Sequence, residues 1–374
     1  MKILITGGHL TPALSFIDFV QAHHPKDKLV FVGREFSQDT TGQKAIEQYE
    51  VEKRGIRFVP FQAVRINLGF FRRFIPRLTH FIRSFRQAGE ILRRERPTVV
   101  LSFGGYVAVP FALAAKFARI PVVTHEQTIV SGFANKFIGL VAYSVAVTFP
   151  ESTSRFLAAK TVVTGNPLRA GVFRQRHPQP TWLKPRINQP IIIVLGGNQG
   201  SRTLNNVIET SLSELLSDWV VVHQCGRPTA GYNAREILAR RQQRLPVKLQ
   251  ERYYIREWID DHDLFWLYRH AFCAISRAGA NATQELAAAG LPSILIPLPT
   301  ARLDEQRKNA RWLVKVGGAM ILEQTALNTT TLLAALKKMQ TFEQSMRESL
   351  AHVRLPENAG ERLYQVVVDA LLKP

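Results

Sequence analysis

Runs of four or five apolar residues alternate with helix-length amphipathic stretches along most of the chain. In the first part, residues 2–5, 29–32, 57–60, 99–102 and 122–124 read as buried strands, with helices at 12–22 and 107–117 between them. This alternation predicts a parallel sheet wound with helices. The rhythm breaks over 169–190, which carries four prolines and little periodicity, and reads as a linker. It restarts with strands at 191–195, 220–223, 274–276 and 293–296 and helices at 203–215, 280–289 and 305–316. The expected architecture is α/β: a doubly wound domain at 1–168, a second at 191–355 facing it across a cleft, and a final helix in 356–374 packing back on the first.

Composition narrows the class. A chain of 374 residues that is 46% hydrophobic can bury two cores, which excludes fibrous and wholly disordered proteins. Two cysteines, Cys225 and Cys273, lie far apart, so neither a disulfide scaffold nor a cysteine-built zinc site is expected. The first residues lack the apolar region of a secretory signal, and uncharged stretches such as 97–115 are broken by glycine and proline. A body attached to a membrane at most by its surface is expected. The net charge of +20 favours anionic partners.

Three loops carry candidate chemistry. Thr6, Gly7, Gly8 and His9 follow the first strand, where glycines let backbone amides approach a phosphate or sugar and an imidazole can serve as general base. A tight turn needing positive φ explains the glycines equally well. The spacing is not G-x-G-x-x-G, so a nicotinamide dehydrogenase is disfavoured. A second loop, Gly196 to Arg202 with Asn198 inside it, opens the second part in the same way. The third runs from Ser276 into a helix bearing Ala280, Asn281, Ala282, Thr283, Gln284 and Glu285. Its N-terminus suits a diphosphate and Glu285 suits ribose hydroxyls. Capping by Asn281 or Thr283 is the structural alternative. The Asp-x-Asp within Ile259 to Asp263 could suggest a metal–nucleotide site, but Asp260 or Asp261 as an N-cap explains it more cheaply.

From 70 to 92, apolar residues at helical spacing (Phe71, Phe74, Phe81 and Phe85 among them) alternate with Arg72, Arg73, Arg77, Arg83 and Arg86. Nine arginines and only two glutamates lie between 65 and 96. An aromatic face bordered by arginine predicts contact with an anionic membrane surface, and no nucleic-acid motif accompanies the charge. An ordinary helix with its phenylalanines in the core is the alternative.

Taken together, TGGHLTPAL, SFGGYVAVP, PVVTHEQTIVSGFANK, VTGNPLR, LGGNQGSRTLN, WIDD, SRAGANATQELAAAGLPSILIPLP and DEQRKNA resemble, in order, the MurG family of bacterial glycosyltransferases. Those enzymes transfer N-acetylglucosamine from UDP-N-acetylglucosamine to lipid I, giving lipid II. The resemblance implies a GT-B architecture of two Rossmann-like domains, inversion at the anomeric carbon, and no cofactor or required metal. It implies that His9, with Glu126, serves catalysis. Thr6, Gly7, Gly8, Thr128, Arg169, Asn198, Ile259, residues 280–285 and Gln306 would line the donor site. Tyr106, His125 and Asn135 would lie on the acceptor side. It further implies a polyprenyl-diphosphate acceptor, cell-wall synthesis proteins as partners, and a place at the cytoplasmic face of the membrane. Leu4 and Ile5 stand where the family usually has glycines, Thr128 where it has asparagine, and Asn198 where it has serine. A GT-B transferase for another lipid or saccharide, and a non-catalytic nucleotide-sugar or lipid-binding protein, are the competing readings.

Overall fold

The apolar runs resolve into two parallel sheets. The computed structural model describes residues 1–34, 46–61, 74–184, 188–197, 200–229 and 231–372, with backbone alone at 46, 74–78 and 302. Contacts divide the chain into one unit of Met1–Arg169 with Pro356–Pro374 and another of Ala170–Leu355.

In the first unit, β1 (Lys2–Thr6), α1 (Leu10–His23), β2 (Lys28–Gly33), α2 (Ile46–Glu52), β3 (Arg57–Pro60), α3 (Phe74–Glu95) and β4 (Val99–Ser102) follow in order. They continue into α4 (Ala108–Phe117), β5 (Val122–Glu126), α5 (Phe133–Val141), β6 (Ser144–Val147) and β7 (Thr161–Val163). Among the described residues the sheet has seven strands in the order β3-β2-β1-β4-β5-β6-β7, all parallel. The order reverses direction between β1 and β4, where Thr6 pairs with Ser102. Strands covered on both faces are mainly apolar, and β1, β4 and β5 are buried almost end to end, with polar residues gathered at the carboxyl ends of β4 and β5.

The second unit carries β8 (Ile191–Leu195), α6 (Arg202–Thr210), α7 (Leu212–Asp218), β9 (Val220–Gln224), α8 (Ala234–Gln243), α9 (Val247–Gln250) and β10 (Tyr253–Arg256). Then come α10 (Asp261–His270), β11 (Cys273–Ser276), α11 (Ala280–Ala289), β12 (Ser293–Leu295), α12 (Glu305–Lys315), β13 (Ala319–Ile321) and α13 (Thr329–Ala351). Its six described strands run β10-β9-β8-β11-β12-β13, again all parallel, with the reversal between β8 and β11. The helix expected over 203–215 is two helices. Ser211 breaks it, and its hydroxyl donates back to the Val207 carbonyl at 2.7 Å.

Residues 170–184 are packed onto this second unit. Val172 and Leu183 are buried, and Arg269 donates to the Val172 carbonyl at 2.8 Å. A Cβ on Gly171 would meet the Phe265 ring at 2.3 Å, so only glycine lets that segment lie so close.

The last helix, α14 (Ala359–Leu372), belongs to the first unit. Leu363, Val366, Val367 and Ala370 join the core built by Ile3, Ile5, Phe16 and Leu101. Tyr364 stacks on His24 at 3.7 Å and donates to Asp27 at 2.7 Å.

Candidate functional site

In doubly wound sheets, ligands bind beyond the carboxyl ends of the strands where the order reverses. In the first unit that point is framed by the turns after β1 and β4. A Cβ on Gly8 would fall 2.1 Å from the Gly104 carbonyl oxygen, and Gly105, at φ +77°, lies against the Gly8 Cα. These glycines are therefore required for two loop backbones to touch, which is more than a tight turn needs. Gly104, at φ +79°, is also pressed against the Asn135 amide.

Around these turns the polar residues are buried. Thr6 and His125 are fully covered, while His9 and Tyr106 are half-buried. His125 donates from Nε2 to the Gly165 carbonyl at 3.0 Å when that nitrogen is protonated. Burial lowers the pKa of His9 to about 4. Burial does the same for His125, with a smaller like-charge contribution from His9, so both rings are neutral at neutral pH.

Glu126 is held on every side. Its Oε1 accepts from the Thr128 amide (3.1 Å) and hydroxyl (2.8 Å), and its Oε2 from the Gly132 amide (3.1 Å) and Asn135 Nδ2 (3.0 Å). The Thr128 hydroxyl also lies 2.6 Å from the Val130 carbonyl. One hydroxyl proton serves one acceptor at a time; burial raises the Glu126 pKa, and its hydrogen bonds from Asn135, Thr128 and Gly132 oppose that shift. Glu126, expected in a catalytic role, makes all of these contacts within the 126–135 loop and so braces it. Asn135 extends the brace to the His125 carbonyl at 3.1 Å and to the Thr124 hydroxyl at 3.1 Å.

By contrast, several buried groups at this sheet edge have no hydrogen-bond partner among the described residues: the hydroxyls of Thr6, Ser131 and Thr148 and both ends of the Gln127 amide. Buried polar atoms are seldom left this way, so the edge fits a ligand rich in donors and acceptors. Gln127 was not singled out from the sequence. Its position directly after a buried strand, beside His125 and Glu126, was the available signal.

In the second unit the reversal is framed by the turns after β8 and β11. Gly200, at φ +75°, presses on the Cys225 carbonyl, which a Cβ would meet at 2.4 Å. Asn198 lies outside the described residues. Arg277, missed as a site residue, ties the two turns together. It donates to Ser201 Oγ (2.7 Å from Nη2), to the Ile296 carbonyl (3.0 Å) and to Gln324 (2.6 Å).

Helix α11 starts at Gly279 with no side-chain cap. The capping alternative is thus set aside: Thr283 instead donates back to the Gly279 and Ala280 carbonyls at 3.1 and 3.0 Å. The amides of Ala280, Asn281 and Ala282 lie in this uncapped first turn, the ordinary setting for an anion. Gln284 and Glu285 are buried one turn on, with the Tyr268 hydroxyl 3.4 Å from Glu285 Oε2. Gln284 Nε2 finds no partner among the described residues. The Ile259 amide donates to Gln224 at 3.1 Å, and Gln306 Oε1 accepts from the Leu298 amide at 3.0 Å. Arg169, half-buried, closes the first unit's main segment.

For the expected membrane face, Phe71, Arg72 and Arg73 lie outside the described residues, as do the side chains of Phe74 and Arg77. Phe81 and Phe85 are half-buried against the core that holds Ala88, Ile91 and Leu92. The amphipathic pattern of α3 is therefore spent, over its described part, on packing, with Arg83, Arg86, Arg93 and Arg94 left in water. Ile82 of α3 is exposed, and further exposed apolar surface lies on the next helices: Phe117 at the end of α4 (79% exposed), and Phe133, Phe137 and Leu140 on α5 beside exposed Lys136. No helix of the described residues is long and apolar enough to cross a membrane.

Known proteins place this arrangement in a class. The glycosyltransferase family 28 N-terminal domain matches residues 6–147, and the family 28 C-terminal domain matches residues 191–359. Two wound units, each with glycine turns at its strand reversal, are thus the two halves of a glycosyltransferase. A Listeria welshimeri protein is 31% identical over 100% of this chain and 99% of its own. A Pseudomonas paraeruginosa protein is 32% identical over 98% and 96%. Both are UDP-N-acetylglucosamine–N-acetylmuramyl-(pentapeptide) pyrophosphoryl-undecaprenol N-acetylglucosamine transferases. The chain belongs to this family, the MurG glycosyltransferases. The crystal structure of Acinetobacter baumannii MurG superposes with a TM-score of 0.69 over 98% of this chain and 99% of that one, at 24% identity. The S. aureus MnaA–UDP co-structure shares the fold equally well (TM-score 0.69, 99% and 96% covered) at 13% identity.

Proposed function

We propose that the chain transfers N-acetylglucosamine from UDP-N-acetylglucosamine to N-acetylmuramyl-(pentapeptide) pyrophosphoryl-undecaprenol at a membrane surface. The observation that carries the donor half is the uncapped start of α11 with buried Glu285 one turn on. Free amides at a helix N-terminus favour a diphosphate, and a buried carboxylate accepts paired hydroxyls such as those of ribose.

The chemistry needs two events. The acceptor hydroxyl loses a proton as it attacks, and the C1–O bond to the diphosphate breaks. His9, neutral and beside the glycine turn, takes the proton; the α11 amides receive the charge on the departing UDP. Attack opposite the leaving group inverts the anomeric carbon. Thr6, Gln127 and Ser131 supply hydrogen bonds to the acceptor, and Gln284 and Gln306 to the donor sugar. Glu126 and Asn135 hold the loop that presents Gln127. Phe117, Phe133, Phe137 and Leu140, on helices α4 and α5, meet the anionic bilayer that carries a polyprenyl acceptor.

Transfer of labelled sugar from UDP-N-acetylglucosamine to a lipid I analogue, with and without EDTA, tests this reading. The expected result is a lipid II product at the same rate in both. Transfer only to a different lipid would give the acceptor assignment up, and donor binding with no transfer to any acceptor would give up catalysis.

A further inference from the structure

A cavity among the described residues lies outside the donor and acceptor machinery. It occupies about 400 Å³ at the β10 edge of the second sheet and is walled by Arg227, Arg235, Ile255, Arg256, Glu257 and Trp258. β10 is the edge strand, with β9 standing between it and β8, whereas the donor turns follow β8 and β11. The adjoining Ile259 turns inward, its side chain buried and its amide donated to Gln224.

Three guanidinium groups share this space with one carboxylate. Glu257 pairs only loosely with Arg235, at 3.6 Å, and both are partly exposed. Arg256 is the informative member. Its guanidinium carbon lies over the Trp182 ring, 4.3 Å from the centroid, a cation–π contact that restrains it. Its Nε is buried with no partner among the described residues. Burial, and then the charge of Arg235, both push its pKa down. The nearby carboxylate that opposes this, Asp263, accepts the Trp182 indole N–H at 2.6 Å. A cation is thus held where its surroundings disfavour it, next to two others. An oxyanion would satisfy the buried N–H and relieve the repulsion, and planar guanidinium forks match phosphate geometry.

We propose that Arg227, Arg235 and Arg256 form a second anion site, separate from the donor site, that binds a phosphate or diphosphate group. The Trp258 and Ile255 walls give room for an organic body beside it. The phosphate belongs either to a free small molecule or to a lipid headgroup, and the test separates these sources.

Inorganic pyrophosphate is titrated into the full-length protein in saturating UDP, by calorimetry or phosphorus NMR. Vesicles of phosphatidylglycerol or phosphatidylcholine are tested in parallel by sedimentation. Pyrophosphate is expected to bind with UDP present, and to bind at least tenfold more weakly to Arg227→Gln/Arg256→Gln, with UDP affinity unchanged. If only phosphatidylglycerol binding falls in that variant, the site stands with a headgroup as its source. Displacement of pyrophosphate by UDP would make the cavity part of the donor site and overturn the proposal. Equal binding of both probes to variant and parent, or no binding of either probe to the parent, would overturn it as well. Should the double variant fail to fold, Arg235→Gln, exposed and on the surface of α8, is read in the same titrations, with a threefold or greater loss expected.

Discussion

His9 follows two glycines at the carboxyl end of β1, with its pKa lowered to about 4 by burial. A base is competent only when neutral, so transfer should stay level from pH 9 down to about 5 and fall only as pH drops through 4. An inflection near 6.5 would remove His9 from that role. His9→Ala should lower kcat by roughly 10²–10⁴-fold while leaving the Kd for UDP unchanged. Glu285→Ala should act on the other quantity, weakening UDP binding about tenfold or more, since hydrogen bonds to a charged group are worth about 1.5–3 kcal/mol; calorimetry reads it directly. Stability carries a related signature. His9, His125 and His223 have folded pKa values of about 4, 4 and 3, below the unfolded value near 6.5. The unfolded chain therefore binds protons first. Stability is complete above pH 6.5 and declines as pH falls toward 3, which thermal denaturation across that range will show.

At the scale of elements, the parallel alternation was legible because strands buried on both faces are mainly apolar. The runs at 191–195 and 99–102 coincide with β8 and β4. β6, β7, β10 and β13 were not read as strands: β6 is a short Ser-Val-Ala-Val, β10 reads Tyr-Tyr-Ile-Arg at the sheet edge, half in water, and β7 and β13 have only three residues each. The long helix α13 also passed unseen, with small, polar and apolar residues mixed around it. For the site, the glycines could be read but not the reason for them, which is the close approach of Gly8 to Gly104 across two loops distant in sequence. The arginine–phenylalanine pattern of α3 was genuine, yet periodicity alone cannot say whether an apolar face meets a core or a bilayer. The core role of α14 gives a prediction at this scale. Leu363→Ala should destabilise the first unit by about 2–5 kcal/mol. All five tryptophans lie between 182 and 312, in the second unit. Unfolding followed by circular dichroism should therefore shift while tryptophan fluorescence does not. A common shift by both probes would mean the units unfold together.

For the molecule as a whole, a net charge of +20 and a patch of exposed aromatic side chains should act together at a bilayer. Phe133→Ser, Phe137→Ser and Leu140→Ser combined should abolish sedimentation with anionic vesicles while leaving the melting temperature close to its original value, as all three side chains are exposed. Parent binding should weaken steeply between 0.05 and about 0.5 M salt as the Debye length shrinks to a few ångströms. Binding indifferent to both changes would place the contact elsewhere on the protein.

Closure of the first core by α14 also sets the order in which a ribosome can deliver finished parts. Leu363 and Val367 emerge after the whole second unit, yet they cover strands translated before it. The second unit has all of its residues available before the first does. α1 covers only part of that face, so the early sheet must wait with the remainder exposed while roughly two hundred further residues are made, and nascent chains stalled before residue 356 should be the ones that engage a chaperone.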